Sequence, residues 1–143
     1  MIDYKIDEIS PNNFRGSAHE NGLVIAYGLY NIKNDSANAS GIGFSHSEKN
    51  INPDIIKNLI EHALLHLSSL GISHLVSLPT KNTALLVVFA TYFENAIFYN
   101  KNGVLSRDKI LDLPYVENNF HCMQSNTQSS ISSSISVILP VPK

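Results

Sequence analysis

The stretch from Asn52 to Asn82, NPDIIKNLIEHALLHLSSLGISHLVSLPTKN, constrains this chain more than any other. It reads as a capped amphipathic helix, a glycine turn, a short buried strand and the cap of a second helix. Asn52 is a good N-cap, and Pro53 suits the first helical position, where an N–H would have no partner. Asp54 complements the positive end of the helix dipole. Ile56, Leu59, Ile60, Ala63, Leu67 and Leu70 recur at helical spacing on one face. Gly71 supplies the stop, because a glycine closes a helix in the left-handed conformation without strain. HLVSL (74–78) is then a strand, and Pro79 ends it. Asn82 or Thr83 caps a second helix running to about Phe93. Its segment ALLVVFATYF is apolar all round and β-branched in the middle, so a buried strand is the competing reading.

The chain before this stretch reads as β-structure. Ile2, Tyr4 and Ile6 alternate with polar residues as in a strand, and Ser10, Pro11, Asn12 and Asn13 end it with turn chemistry. Residues 14–20 are expected to form a loop or a short helical turn. Asn21-Gly22 is a hairpin dipeptide, and LVIAYGLYNI (23–32) after it is a strong strand. KNDSANAS (33–40) reads as a polar connection, and GIGFSHS (41–47) as a strand with Ile42 and Phe44 on one face. After the second helix, residues 96–99 form a strand and Asn102-Gly103 a turn. Residues 104–116, with Pro114, read as irregular. Residues 119–125 read as a strand, 126–134 as a flexible polar loop and 135–141 as a closing strand. The expectation is one domain over residues 1–143, α/β or α+β, with a central mixed β-sheet and two main helices packed on it.

Composition narrows the function classes. Charged residues make up 15% of the chain, against roughly 25% in typical domains. The net charge of −2 gives no basic field for nucleic acid or anionic lipid. The single cysteine, Cys122, excludes an internal disulfide framework and a cysteine-rich zinc site. The N-terminal residues lack the pattern of a secretory signal, and the longest apolar run, residues 84–90, is far short of a bilayer span. These features predict a soluble, cytoplasmic protein without nucleic-acid or membrane partners; secretion without a cleaved signal stays open.

Few residues could carry chemistry. His62 and His66 are four apart on the first helix, a spacing that lets two imidazoles reach one metal, but no third ligand accompanies them. They read as boundary residues at the margin of the apolar face. His46, near a strand end, could serve as a general base. His121 and Cys122 are adjacent and point to opposite faces of any strand, so they form no nucleophile–base pair there. Tyr92 and Tyr99 read as core or rim aromatics. Gly41 and Gly43 do not open a phosphate-cradling motif.

From Asn21 onward the order of segments resembles the GNAT superfamily of acyl-CoA-dependent N-acetyltransferases. ENGLVIAYGL resembles that family's second-to-third strand hairpin, GIGFSHS its fourth strand, and PDIIKNLIEHALLHLSSLGI its central helix. HLVSLPTKN resembles the fifth strand with its following Asn. Asn82, Leu85 and Phe89 fall on the loose N-x-x-A-x-x-x-Y helix pattern with substitutions, and FHCMQS and SISVILPVPK resemble the terminal hairpin. The resemblance implies an N-acyltransferase using acetyl-CoA or another acyl-CoA. It implies cofactor contacts at Phe44, Ser45 and Asn82, Tyr92 as general acid and His46 or Glu48 as base. The segment EKNINPD departs from the pattern: it has no glycine, Pro53 lacks an amide donor, and Glu48 and Asp54 add negative charge where phosphates would sit.

A second resemblance is to chemotaxis receptor-glutamine deamidases and their cytotoxic-necrotizing-factor relatives, through GLVIAYGLY and GFSH. It implies His46 as the catalytic imidazole, with the nucleophilic Cys position held by Val24 or, after an insertion, by Ala18. No thiol is present at either place. A third reading needs no motif: a small binding or inhibitory module, with a protein partner, on a degenerate enzyme scaffold.

Overall fold

A computed structural model describes residues 1–34, 36–43, 52–113 and 134–143. The described elements run β1 (Ile2–Ser10), β2 (Asn13–Glu20), β3 (Leu23–Lys33), β4 (Ser36–Gly43), α1 (Pro53–Ser69), β5 (His74–Ser77), α2 (Thr83–Tyr92), β6 (Ile97–Asn100), β7 (Gly103–Leu105), α3 (Arg107–Leu111) and β8 (Ser136–Pro140). The strands form one mixed sheet in the order β1-β2-β3-β4-β5-β8-β6-β7. β1 to β4 are an antiparallel meander, β5 lies parallel to β4, and β8 enters antiparallel between β5 and β6. The expected mixed sheet with two main helices is therefore present, together with a third, short helix.

Local chemistry explains the tight connections. Asn21 (φ 54°) and Gly22 (φ 79°) both take positive φ, the requirement of the hairpin turn whose twist matches its strands. Asn12 and Asn34 turn the neighbouring hairpins with φ 63° and 62°.

One face of the sheet carries the core. Phe14, Gly16 and Ala18 on β2 pair with Tyr30, Gly28 and Ala26 on β3, and Tyr4 and Ile6 on β1 continue the row. Ala37, Leu75, Leu139, Val137 and Phe98 extend it across the remaining strands. On this face α1 buries Ile56, Leu59, Ile60, Ala63, Leu64 and Leu67. Leu85 and Phe89 of α2 share a cavity of about 50 Å³ with Leu59, Ile60 and Ala63 of α1 and with Gly16, Gly28 and Tyr30, so both helices cover the same side. Burying six side chains of this kind stabilises α1 against the sheet by on the order of 10 kcal/mol before entropy is counted.

Three expectations are corrected. Residues 14–20 are strand β2, not a loop or helical turn. Its inward positions include Gly16 and Ala18, too small to register as an apolar stripe, and Gly16 borders the cavity that α1 and α2 cover. KNDSANAS is not a connection throughout: β4 begins at Ser36, and Ala37 is fully buried between β3 and β5. Flanking strands supply the hydrogen bonds that its own propensity does not demand. Residues 104–116 are not wholly irregular, since β7 pairs with β6 across the Asn102-Gly103 turn and α3 follows. Ser106 caps α3 by accepting from the Lys109 N–H, and Pro114 lies beyond its end. The strand expected at 119–125 lies outside the described residues, as does nearly all of the loop expected at 126–134.

Candidate functional site at the parting of two parallel strands

β4 and β5 pair from Ser36↔His74 to Ala39↔Ser77 and no further. The Leu78 N–H still donates to the Ala39 carbonyl at 3.0 Å, after which β4 continues through residues 40–43 with β3 as its one neighbour among the described residues. Parallel strands that separate at their C-terminal ends leave a crevice of the kind in which open α/β sheets bind ligands. α1 and α2 both start from this end of the sheet, because each follows one of the two strands.

The start of α1 is fully built in this chain's own atoms. The Asn52 side chain accepts from the Asp54 N–H at 2.8 Å, and the Ile55 N–H donates to the Asn52 carbonyl at 2.9 Å. Pro53 contributes no N–H. The first-turn amides that would face an anion are therefore missing or already paired, and the Asp54 carboxylate adds a negative charge at the same place. Tyr92 donates its hydroxyl to Asp54 Oδ1 at 3.2 Å, and Lys57 Nζ lies 5.5 Å from the Tyr92 ring centroid. The Tyr92 phenol is pushed up from its ordinary value by burial, then by its hydrogen bond to Asp54 and that group's charge, with Lys57 opposing. A proton so held is less available to a leaving group near neutral pH. Sequence reasoning missed the Asp54–Tyr92–Lys57 cluster; Asp54 and Lys57, three apart on the helix, were its only visible part.

Tyr92 stands at the far end of α2 and reaches the start of α1 through Asp54. It lines an outer groove with Glu61, Leu64 and Leu65 of α1 and residues 93–96. The side chains of α2 that reach the cavity beside Ala39 and Ser77 are Leu85 and Phe89, neither of which has a proton to give. Asn82 is buried and caps α2, accepting from the Leu85 N–H at 3.0 Å while its own N–H donates to Thr80 Oγ1. His46, Glu48, Phe44 and Ser45 lie outside the described residues; of the predicted set Asn82 and Tyr92 are described, and they stand at opposite ends of α2.

The two histidines of α1 turn to separate partners. His62 Nδ1 is 2.8 Å from the Asn58 carbonyl, and its ring stacks on Tyr4 at 4.7 Å. His66 Nδ1 is 2.8 Å from the Tyr30 hydroxyl, and its ring meets Phe14 edge-on. Among the described residues no group of three or more His, Cys, Asp or Glu side chains could hold a metal. Ala18, one position considered for a nucleophile, is fully buried beneath α1, and Val24 on β3 pairs with His19 on β2. No helix among the described residues is long and apolar enough to cross a membrane.

No protein-family model and no curated protein matches the sequence. Solved structures match its fold. An acetyltransferase from Bacillus subtilis in complex with CoA is 9% identical, with 99% of this chain and 100% of that one covered and a TM-score of 0.60. A GNAT family acetyltransferase from Elizabethkingia anophelis with acetyl-CoA bound is 13% identical over 97% of each chain, with a TM-score of 0.59. The ribosomal-protein-S18-alanine N-acetyltransferase from Escherichia coli is 13% identical over 94% of this chain and 72% of that one, with a TM-score of 0.58. At such identities the likeness establishes the fold, which is that of GNAT acetyltransferases.

Proposed function

We propose that this chain is a non-catalytic descendant of the acyl-CoA-dependent N-acyltransferases, a GNAT-fold module that works by binding a protein partner. The start of α1 carries this reading. Pro53 removes one amide donor, Asn52 occupies those behind it, and Asp54 repels phosphate, so this helix end does not fit the pyrophosphate of CoA. The glycine-free segment EKNINPD points the same way, as does Phe89 in place of a hydroxyl-bearing residue. Calorimetric titration with CoA and with acetyl-CoA tests the proposal: no heat is expected at high micromolar ligand, and saturable micromolar binding overturns it.

The opposing reading is an active N-acyltransferase. It is favoured by the parting of β4 and β5 and by the relatives of this fold that hold acetyl-CoA or CoA. In that case Tyr92 would be the acid and His46 or Glu48 the base, with Phe44, Ser45 and Asn82 at the cofactor. Binding in the titration, followed by loss of acyl transfer to an amine in Tyr92→Phe, would establish it.

A further inference from the structure

The sheet has two unequal edges. β7 ends one of them with three residues, whereas β1 ends the other with nine. β1 pairs with β2 without interruption from Ile2↔Glu20 to Glu8↔Phe14, and its one irregularity falls between Glu8 and Ser10. Among the described residues nothing pairs with its outer side. Natural proteins blunt such edges with proline, bulges, very short strands or charged side chains, because a row of free N–H and C=O groups is a template for another strand. β1 has no proline and no bulge before Glu8, so the protection left to its long edge is the charge of Asp3, Lys5 and Asp7.

We propose that the outer edge of β1 pairs antiparallel with the same edge of a second copy of this chain, around a two-fold axis at Tyr4. The sequence of β1 is complementary to itself in that register. Ile2 faces the second copy's Ile6, and Tyr4 faces Tyr4, all on the side of the sheet that carries α1. Asp3 faces Lys5 twice on the other side, where both are exposed and Lys5 Nζ already lies 3.5 Å from Asp7 of its own strand. Opposite charges directly across an antiparallel pair attract and like charges repel, so register follows from these contacts. A shift of two residues in one sense sets Lys5 against Lys5 and Asp3 against Asp7. A further shift keeps Lys5 against Asp7 but sets Tyr4 against Glu8 and Ile2 against Ser10. Shifts by a single residue put the apolar row opposite the charged one. The two-fold pairing joins the two sheets edge to edge with both α1 helices on one side, and it leaves the start of α1 and the strand parting untouched.

Sedimentation equilibrium of the full chain tests this. A concentration-dependent dimer is expected, and a monomer throughout the range up to several hundred micromolar overturns it. Lys5→Asp sets two pairs of carboxylates against each other and is expected to weaken association about ten-fold or more. Asp3→Lys combined with Lys5→Asp restores the pairs and the dimer. Unchanged association in Lys5→Asp, or no recovery in the double variant, counts against the proposal. A second readout is covalent. In a Cys122→Ser background, Tyr4→Cys should form an inter-copy disulfide on mild oxidation. Residues facing each other across antiparallel strands have Cα atoms about 4.5–5.5 Å apart, within disulfide reach. Crosslinking through Ile6→Cys in place of Tyr4→Cys would overturn the register.

Discussion

The two long helices begin in the same way and are held in place by different means. Each starts on an asparagine whose side chain caps a backbone N–H. α1 then contains its own instructions: Pro53 and Asp54 in its first turn, an apolar stripe on one face, and a glycine close. Gly71 takes φ 74°, and the Ile72 N–H returns to the Leu67 carbonyl at 3.0 Å. α2 has no charge in its first or last turn, and seven of its ten residues are buried. Its far end is held by a residue from the next helix: the Arg107 guanidinium donates to the carbonyls of Ala90, Phe93 and Glu94. α1 is a locally specified helix lying on the sheet, and α2 is a helix specified by what surrounds it. The contrast bears on function, because both helices start at the strand parting and the first-turn amides of α1 there are missing or already paired.

The contrast makes removal of Arg107 the largest perturbation. Arg107→Ala leaves three carbonyls at the end of α2 without their charged donor and should cost about 2–3 kcal/mol. Arg107→Lys should recover less than half, since one ammonium cannot span the fork. The midpoint of urea unfolding measures both; a loss below about 0.5 kcal/mol would make α2 as independent as α1. The two caps come next. Asn82→Ala removes a cap in the core and should cost about 1–2 kcal/mol, whereas Asn52→Ala, at an exposed start, should cost about 0.5–1 kcal/mol. Equal losses would erase the distinction between a buried and an open helix start.

The same difference explains which parts of the structure were legible in the sequence. α1, β5 and the Asn21-Gly22 turn announce themselves through local signals, so their positions follow from residues near one another. α2 was expected as a helix but against a live strand alternative, because an all-apolar segment has no periodicity to read and Arg107 lies far along the chain. β2 and the first half of β4 were misread for a related reason: Gly16, Ala18 and Ala37 are buried because other elements cover them. At the candidate site, the unsuitability of Asn52-Pro53-Asp54 for phosphate was readable from residue types alone. The partnership of Asp54 with Tyr92 was not, since nothing in the sequence relates positions 38 residues apart. GNAT-like segment order was recognisable because order survives where individual motifs do not.

The smallest expected effect concerns a partly buried hydrogen bond that ties α1 to the sheet. Tyr30 is buried and its phenol is pushed up by that burial, so it stays protonated, and its hydroxyl is hydrogen-bonded with His66 Nδ1 at 2.8 Å. His66 is held below its ordinary value, first by burial beside Phe14 and Tyr30, with Glu8 pulling the other way. The folded protein therefore takes up this proton at lower pH than the unfolded chain does. Between the lowered value and the ordinary histidine range the unfolded state binds more protons, so stability should fall as pH drops below 7 and level off once the folded-state imidazole is protonated. Once the imidazole is charged both ring nitrogens are donors, so the Tyr30 hydroxyl must then accept from Nδ1. Urea midpoints at pH 7.5, 6.5 and 5.5 should trace the decline, and His66→Leu should flatten this part of it even though it lowers stability throughout by stranding the Tyr30 hydroxyl. An unchanged slope in His66→Leu would mean that α1 sits on the sheet without any titratable tie, as self-sufficient along its length as it is at its two ends.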